Sequence, residues 1–585
     1  MKWKRSTSKQ KNDSTDNSRL KWLLFLFVFI FLIIILKLFF WQIWDRERLV
    51  ASASSQHWFS LNLPAPRGNI LTKDGFVLVE NKPAYNLILD RSQLEIDEKK
   101  VVDDLLAIMV EEDKLASESA RLERLLSNRE LIWIKLFTKL SEEKKALMGH
   151  HNGLVWQPDT LRTYSEASTA AHLTGFVANN SAGDSQGYFG LEGFYDRELK
   201  GRIGKSLLEV DAMGNPILAG ERFEESAYPG RGLILHLDRT AQFLAEKKLE
   251  TALEKYGAIS GTVTIMDPKT GGIIAMAGLP DYDPTKIDEF SVENYPNPVV
   301  NQSFEPGSTF KVLIMGAAVN EGLVDMETIC PCKGPVSVPP YTVSTWDGKY
   351  YPDSGIKEII QHSDNVGMVF VSKLFEPEVL IDYVRAFGFG ELTGIDLQEE
   401  DSPGLRDEWR EIDLATVSFG QGIAATPLQM TSAAAALANG GWLMEPQVVD
   451  RIVIQGREGM AGEVEEIDIE PKRVRRVISN EASKLVTEIM VNAVKEGEAK
   501  WTSAKGYRIA GKTGTAQIPV DGHYDSEKTI ASFVGYAPAD DPKFVMLVTL
   551  REPKTSPWGS ETAAPLWFDI ARELFLHYGI APSEE

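Results

Sequence analysis

The sequence predicts an α+β protein carried on a single membrane-spanning helix. A mixed N-terminal domain is followed by a domain built on an antiparallel sheet with helices on both faces and a helical insert. Three observations predict it. An apolar run, 22–44, is broken only by Lys37 and Gln42. Strand patterns lie at both ends of the C-terminal half, at 261–276 and 507–550, with a helix-rich stretch between them. The composition is ordinary globular, 43% hydrophobic and 25% charged, which excludes disorder over most of the 585 residues. At ~100–200 residues per domain, that length is a prior for two to four domains.

The net charge of −22 argues against a general nucleic-acid binder, which needs a basic footprint. It is unevenly spread. Residues 1–21 hold Lys2, Lys4, Arg5, Lys9, Lys11, Arg19 and Lys21 against Asp13 and Asp16, a net of +5 that leaves −27 for the rest. The run 22–44 is long enough at helical rise to cross ~30 Å of hydrocarbon. Lys37 can snorkel, and Trp22, Trp41 and Trp44 suit the interfaces. The basic tail predicts a cytoplasmic N-terminus with everything after residue 44 outside. The run exceeds a signal-peptide core; a small-residue triplet, Ala51-Ser52-Ala53, lies well beyond it.

Beyond the anchor, 45–60 reads as a short polar helix and Lys73-Asp74-Gly75 as a turn between strands. From Glu95 to Met148 the apolar spacing reads as helical throughout. A linker at Tyr228-Pro229-Gly230-Arg231-Gly232 puts the domain boundary near 232, giving a tail 1–21, an anchor 22–44, an N-terminal domain 45–232 and a C-terminal domain 233–585. The latter opens with a helix at about 239–256 and a hairpin, Gly261–Met266 and Ile273–Met276. Strands are expected at 507–518, 530–536 and 544–550, and a closing helix at 564–577. One internal helix is signposted: Thr426 as N-cap, Pro427 at the first position, Gln429 completing a capping box, and Asn439-Gly440 past its end.

Three short motifs occur in order: Ser308-Thr309-Phe310-Lys311, Ser363-Asp364-Asn365 and Lys512-Thr513-Gly514. Alone each is weak, since Ser-x-x-Lys and Lys-Thr-Gly recur elsewhere in the chain. Context separates them. Ser308 follows Glu305-Pro306-Gly307 and opens an apolar run, which puts it at a helix N-terminus with Lys311 one turn deeper on the same face. A nucleophile there has a free backbone N–H for an oxyanion. A lysine one turn below can lose its proton if burial and a second cation, here Lys512, lower its pKa.

The triple set is the signature of penicillin-binding proteins and serine β-lactamases. With Gly422-Ile423-Ala424 through Thr426-Pro427-Leu428-Gln429, and Ala510-Gly511-Lys512-Thr513-Gly514-Thr515-Ala516, the chain resembles class B penicillin-binding proteins over nearly its full length, more the cell-division than the elongation type. The resemblance implies a penicillin-binding/β-lactamase-like transpeptidase domain on an N-terminal pedestal, in a bacterial inner membrane, needing no cofactor. It implies a D,D-transpeptidase that cross-links peptidoglycan stem peptides ending in D-Ala-D-Ala and is trapped by β-lactams. Ser308 would be the nucleophile, Lys311 its base, Ser363 a proton relay and Asn365 a clamp on Lys311 and substrate. Lys512, Thr513 and Thr515, with Gly514 between them, would bind the terminal carboxylate. The partners implied are a membrane glycosyltransferase and other wall-synthesis or divisome proteins. The chain departs from the family at Thr72 and Lys73, where Asp-Arg is usual, and at Arg162-Thr163-Tyr164-Ser165, where Arg-x-Tyr-Pro is usual. Both places bear on the N-terminal domain's contacts.

Rival readings are a β-lactam hydrolase or sensor, an inactive scaffold, and a nucleotide-binding loop at Gly506–Thr513, which fits the Walker A pattern but reads as strand. No metal motif is present among the histidines, and His362 reads as structural. Cys330-Pro331-Cys332 leaves two states open, free buried thiols or a bridge across a bent triplet.

Overall fold

The computed structural model describes residues 16–50, 58–94, 98–110, 114–148, 152–181, 183–209, 217, 222–454, 465–520 and 523–583. Most of the basic tail and the Ala51-Ser52-Ala53 triplet lie outside them. The chain divides into two compact units, 1–64 with 203–227, and 65–202 with 228–585.

The first unit holds the anchor. The helix Asp16–Phe39 runs on through a π-helical turn to Trp44, and its apolar side chains are exposed along the whole length. The stretch Ser18–Trp44 is long and apolar enough to cross a membrane. The same unit contains a three-stranded antiparallel sheet, Trp58–Leu63, Gly204–Glu209 and Arg222–Glu225. Of the polar helix expected over 45–60, 46–50 is helical, 58–60 belongs to the strand that begins at Trp58, and 51–57 lies outside the described residues.

In the second unit, a sheet joins strands from both sides of residue 232: Ile70–Leu71 pairs in parallel with Gly232–Leu235, which pairs with Val449–Ile454. Lys73 and Asp74 form the expected turn, with Gly75 at φ 83 before the long strand Val77–Asp90. The helical expectation over 95–148 is corrected. Glu98–Met109, Leu115–Ser127 and Glu142–Met148 are helices, but Trp133–Ser141 is a strand on Val77–Asp90. Its Ile134, Leu136 and Leu140 point inward with a period near two. Lysines at 135 and 139 alternate outward, a strand pattern that the flanking helices obscured. This region is tied together by a buried ion cluster. Glu192 bridges Arg67 Nε at 2.5 Å and Arg162 Nε at 2.7 Å, and Arg67 also pairs with Asp196 at 2.7 Å.

The site is positioned by an antiparallel five-stranded sheet. Its strands are β1 (Ser260–Met266), β2 (Ile273–Leu279), β3 (Ala510–Val520), β4 (His523–Ala537) and β5 (Phe544–Arg551), in the order β2-β1-β5-β4-β3. Strand β3 starts three residues later than expected because 507–509 pair with nothing in the sheet. On one face lie α1 (Arg239–Tyr256), capped by the Asp238 carboxylate and ended by Gly257 at φ 64, and α6 (Ala563–His577). Their Leu249, Trp567 and Phe568 pack on Val263, Phe533 and Val548. On the other face are α2 (Lys311–Asn320), α3 (Asn365–Ser372), α4 (Pro427–Ala438) and α5 (Asn480–Glu496). Leu313, Met430 and Ile489 belong to one core with Met266, Val534 and Leu547. Helix α4 carries the capping box read from Thr426 and Gln429. Cys330 and Cys332 are both buried and joined by a disulfide, with Cα atoms 5.3 Å apart.

Candidate active site

Ser308 sits in a 3-10 turn, Gly307–Thr309, that leads directly into α2. The turn presses on β3: Gly307 has φ 55, and a Cβ there would lie 3.0 Å from the Thr515 carbonyl oxygen. Thr309 secures the turn by donating to the Pro306 carbonyl at 2.6 Å. Ser308 thereby faces a cleft of about 400 Å³ whose walls include Ser363, Asn365, Thr513, Thr515, Glu498 and the Trp346–Trp558 pair. Those two indoles, 5.0 Å apart, form an aromatic rim, and Trp346 is fixed by its Nε1–H donating to the His362 carbonyl at 3.2 Å.

Lys311 is fully buried beneath this cleft. Its Nζ donates to the Ser363 carbonyl and, at 2.7 Å, to Asn365 Oδ1, and lies 3.3 Å from Ser363 Oγ. No carboxylate among the described residues pairs with it. Burial, and then the Lys512 charge, push its pKa well below the usual lysine value. A neutral amine has two N–H donors and one lone pair. The two carbonyl-type oxygens satisfy the donors, which leaves the lone pair for a hydroxyl proton.

Ser363 is held at φ 54, a left-handed conformation uncommon for a residue with a Cβ. Asp364, next to it, caps α3 by accepting from Val366 N–H at 2.8 Å; burial raises its pKa. Such backbone strain persists only where the surroundings enforce it. Here it turns the Ser363 carbonyl and hydroxyl to the same lysine. Asn365 is oriented in turn by donating from Nδ2 to the Ser344 carbonyl at 3.3 Å.

On the opposite wall, Lys512 is buried and its pKa is lowered by desolvation. Its Nζ donates to Thr513 Oγ1 at 2.9 Å, and the Thr513 hydroxyl donates to Glu498 Oε2 at 2.7 Å. Gly514 is obligatory: a Cβ there would lie 2.3 Å from Ser532 Oγ and 2.8 Å from Thr309 Cγ2. Thr515 Oγ1 accepts from Gly559 N–H at 3.0 Å. Behind Ser308, Glu305 accepts from Gly422 N–H at 3.1 Å and from the Tyr524 hydroxyl, and burial raises its pKa.

The fold thus brings Ser308, Lys311, Ser363, Asn365, Lys512, Thr513, Gly514 and Thr515 around one cleft. Glu498, Trp346 and Trp558 went unnoticed in the sequence. Nothing local marks them, because they reach the cleft only through the folding of distant loops. The nucleotide-loop reading is excluded: Lys512 and Thr513 lie inside β3, with no helix after them to receive a phosphate.

Residues 261–575 match the penicillin binding protein transpeptidase domain, and 62–235 match the penicillin-binding protein dimerisation domain. The chain belongs to the class B penicillin-binding proteins. It is 32% identical to stage V sporulation protein D of Bacillus subtilis, across 91% of this chain and 82% of that protein. It is 30% identical to the probable peptidoglycan D,D-transpeptidase PenA of Neisseria meningitidis, across 89% and 86%. The structure of penicillin binding protein 3 from Mycobacterium tuberculosis, which holds aztreonam, superposes with a TM-score of 0.68 at 24% identity, covering 89% of this chain and 98% of that one. As a penicillin-binding protein with an exposed apolar N-terminal helix, the chain is membrane-anchored.

Proposed function

We propose that this penicillin-binding protein is a serine D,D-transpeptidase that cross-links peptidoglycan stem peptides, with 233–585 as its catalytic domain and 45–232 as a pedestal. The observation that carries the reading is Lys311: buried, held by two carbonyl-type acceptors and, among the described residues, paired with no carboxylate. Ser308 Oγ attacks the carbonyl between two terminal D-alanines while its proton passes to the Lys311 amine. Backbone N–H groups of Ser308 and Thr515 receive the developing oxyanion, a contribution of ~2.7–4 kcal/mol per donor in comparable sites. Collapse breaks the peptide bond, and the departing D-alanine amine takes a proton relayed through Ser363. The amine of a second stem peptide then attacks the Ser308 ester, forming the cross-link and freeing the serine. Lys512, Thr513 and Thr515 hold the donor's terminal carboxylate, and the aromatic rim of Trp346 and Trp558 covers the peptide.

The test is covalent labelling. Full-length protein in detergent, incubated with a labelled penicillin, forms a stable adduct that mass spectrometry places on Ser308, and Ser308→Ala abolishes it. An adduct that survives Ser308→Ala overturns the mechanism, and rapid turnover of the adduct favours the β-lactam hydrolase.

The anchor lies in the bacterial inner membrane with the basic tail in the cytoplasm. The pedestal engages a membrane glycosyltransferase and other septal proteins. A second role, in wall made during sporulation, is favoured by the name of the Bacillus subtilis relative. Depletion in the host separates the two: filamentation indicates septal synthesis, and normal growth with defective spores indicates the sporulation role.

A further inference from the structure

Glu498 stands where the proposed chemistry needs a different carboxylate. The Thr513 hydroxyl has one proton. It accepts from Lys512 Nζ at 2.9 Å and donates that proton to Glu498 Oε2 at 2.7 Å. A ligand carboxylate is an acceptor only, so it needs the same proton. Glu498 is half-buried in the cleft wall, and its negative charge lies in the field of both lysines, opposing the depression of their pKa values by burial. An arriving carboxylate must therefore displace an acceptor of its own kind while approaching a like charge.

We propose that Glu498 is a specificity-determining residue, a resident carboxylate that occupies the Thr513 hydroxyl in the empty cleft and competes with the terminal carboxylate of the donor peptide or β-lactam. This rests on the carboxylate-binding role given above to Lys512 and Thr513. Binding transfers the Thr513 hydrogen bond from Glu498 to the ligand, and Glu498 turns toward solvent. The site thus admits a carboxylate that brings further contacts with Ser308, Asn365 and the aromatic rim, and rejects small carboxylates that bring none.

Glu498→Gln separates charge from shape, because the amide oxygen still accepts the Thr513 proton while the repulsion is gone. In full-length protein, the second-order rate of Ser308 acylation is measured by intact mass with benzylpenicillin and with its uncharged methyl ester. Each rate is normalised to the adduct formed at saturation, so partial misfolding does not enter. Benzylpenicillin acylates Glu498→Gln about tenfold faster than the parent protein, while the ester gains nothing. An unchanged or slower benzylpenicillin rate, or an ester accelerated as much as the acid, overturns the proposal. If the parent protein forms no Ser308 adduct with either compound, the transpeptidase reading itself has failed, a result distinct from failure of the Glu498 role.

Discussion

Among the described residues, two places bury arginine or lysine almost completely, and they treat the charge in opposite ways. In the N-terminal half, Arg67 and Arg162 meet a carboxylate, Glu192, that has no exposure at all, and Asp196 completes the cluster. Charge is cancelled by charge, and the Arg67 pKa is raised, the carboxylates outweighing burial. In the cleft, the hydrogen-bond acceptors of Lys311 among the described residues are amide and hydroxyl oxygens, and burial and then the Lys512 charge lower its pKa. The first arrangement holds strands together. The second lowers the pKa of a buried amine beneath the cleft that Ser308 faces, at a cost to stability. Burial acts to lower the pKa in both; the partner decides whether it falls or rises.

The largest test of this contrast is Lys311→Met. Removing the base lowers Ser308 acylation by penicillin about 10²–10⁴-fold. Stability moves the other way. The folded pKa of Lys311 is depressed, so below the ordinary lysine pKa the unfolded chain binds a proton that the folded chain refuses, and the native lysine subtracts stability at neutral pH. The melting temperature of Lys311→Met is therefore not lowered. Next in size is Glu192→Gln, which leaves the buried Arg162 without a carboxylate and Arg67 with Asp196 alone, and costs ~3–5 kcal/mol in denaturant unfolding, with acylation per active site unchanged.

These contrasts also mark what the sequence could disclose. The three motifs lie in order, and the capping box at Thr426 and Gln429 and the β1–β2 hairpin are local patterns whose physics is complete within a few residues. Glu192 lies in the segment Gly190-Leu191-Glu192-Gly193, and nothing local says that two arginines, 125 and 30 positions away, converge on it. Glu498 is similarly silent, a charged residue in a polar loop until β3 brings Thr513 against it. The strand Trp133–Ser141 was missed because its alternation is short and lies between charged helices. Lys311 was legible as a candidate base, but its lowered pKa depends on burial and on Lys512, and its position on the left-handed turn at Ser363, which aims a carbonyl at it.

His172 extends the comparison to a base with a neutral partner and no chemical task. It is buried against Tyr282, with Nε2 2.9 Å from the Asn294 carbonyl, and burial lowers its pKa to about 4. The unfolded chain takes up this proton near pH 6.5, so its stability contribution is intact above that value and is lost progressively as pH falls toward 4. At pH 5 the loss is ~2 kcal/mol. The variant His172→Phe should lack this increment in unfolding measured at pH 7 and pH 5.

The smallest effect sharpens the contrast most, because it moves a titration and not a fold. Acylation requires neutral Lys311, so its rate falls on the acid side as pH drops through the Lys311 pKa. Burial is the first cause of that low pKa, and the Lys512 charge is the second. Lys512→Gln removes the second cause and leaves the first. The Lys311 pKa then rises, and the acid limb of the pH–rate profile moves to higher pH. The plateau rate falls as well, through loss of carboxylate binding, but the position of the limb is independent of its height. A limb that stays in place in Lys512→Gln would mean that burial alone keeps Lys311 neutral and that the second lysine serves only the substrate. A limb that moves shows that the Lys512 charge, which outweighs either Glu498 or Asp364, helps to hold the Lys311 pKa down so that the amine can act as a base.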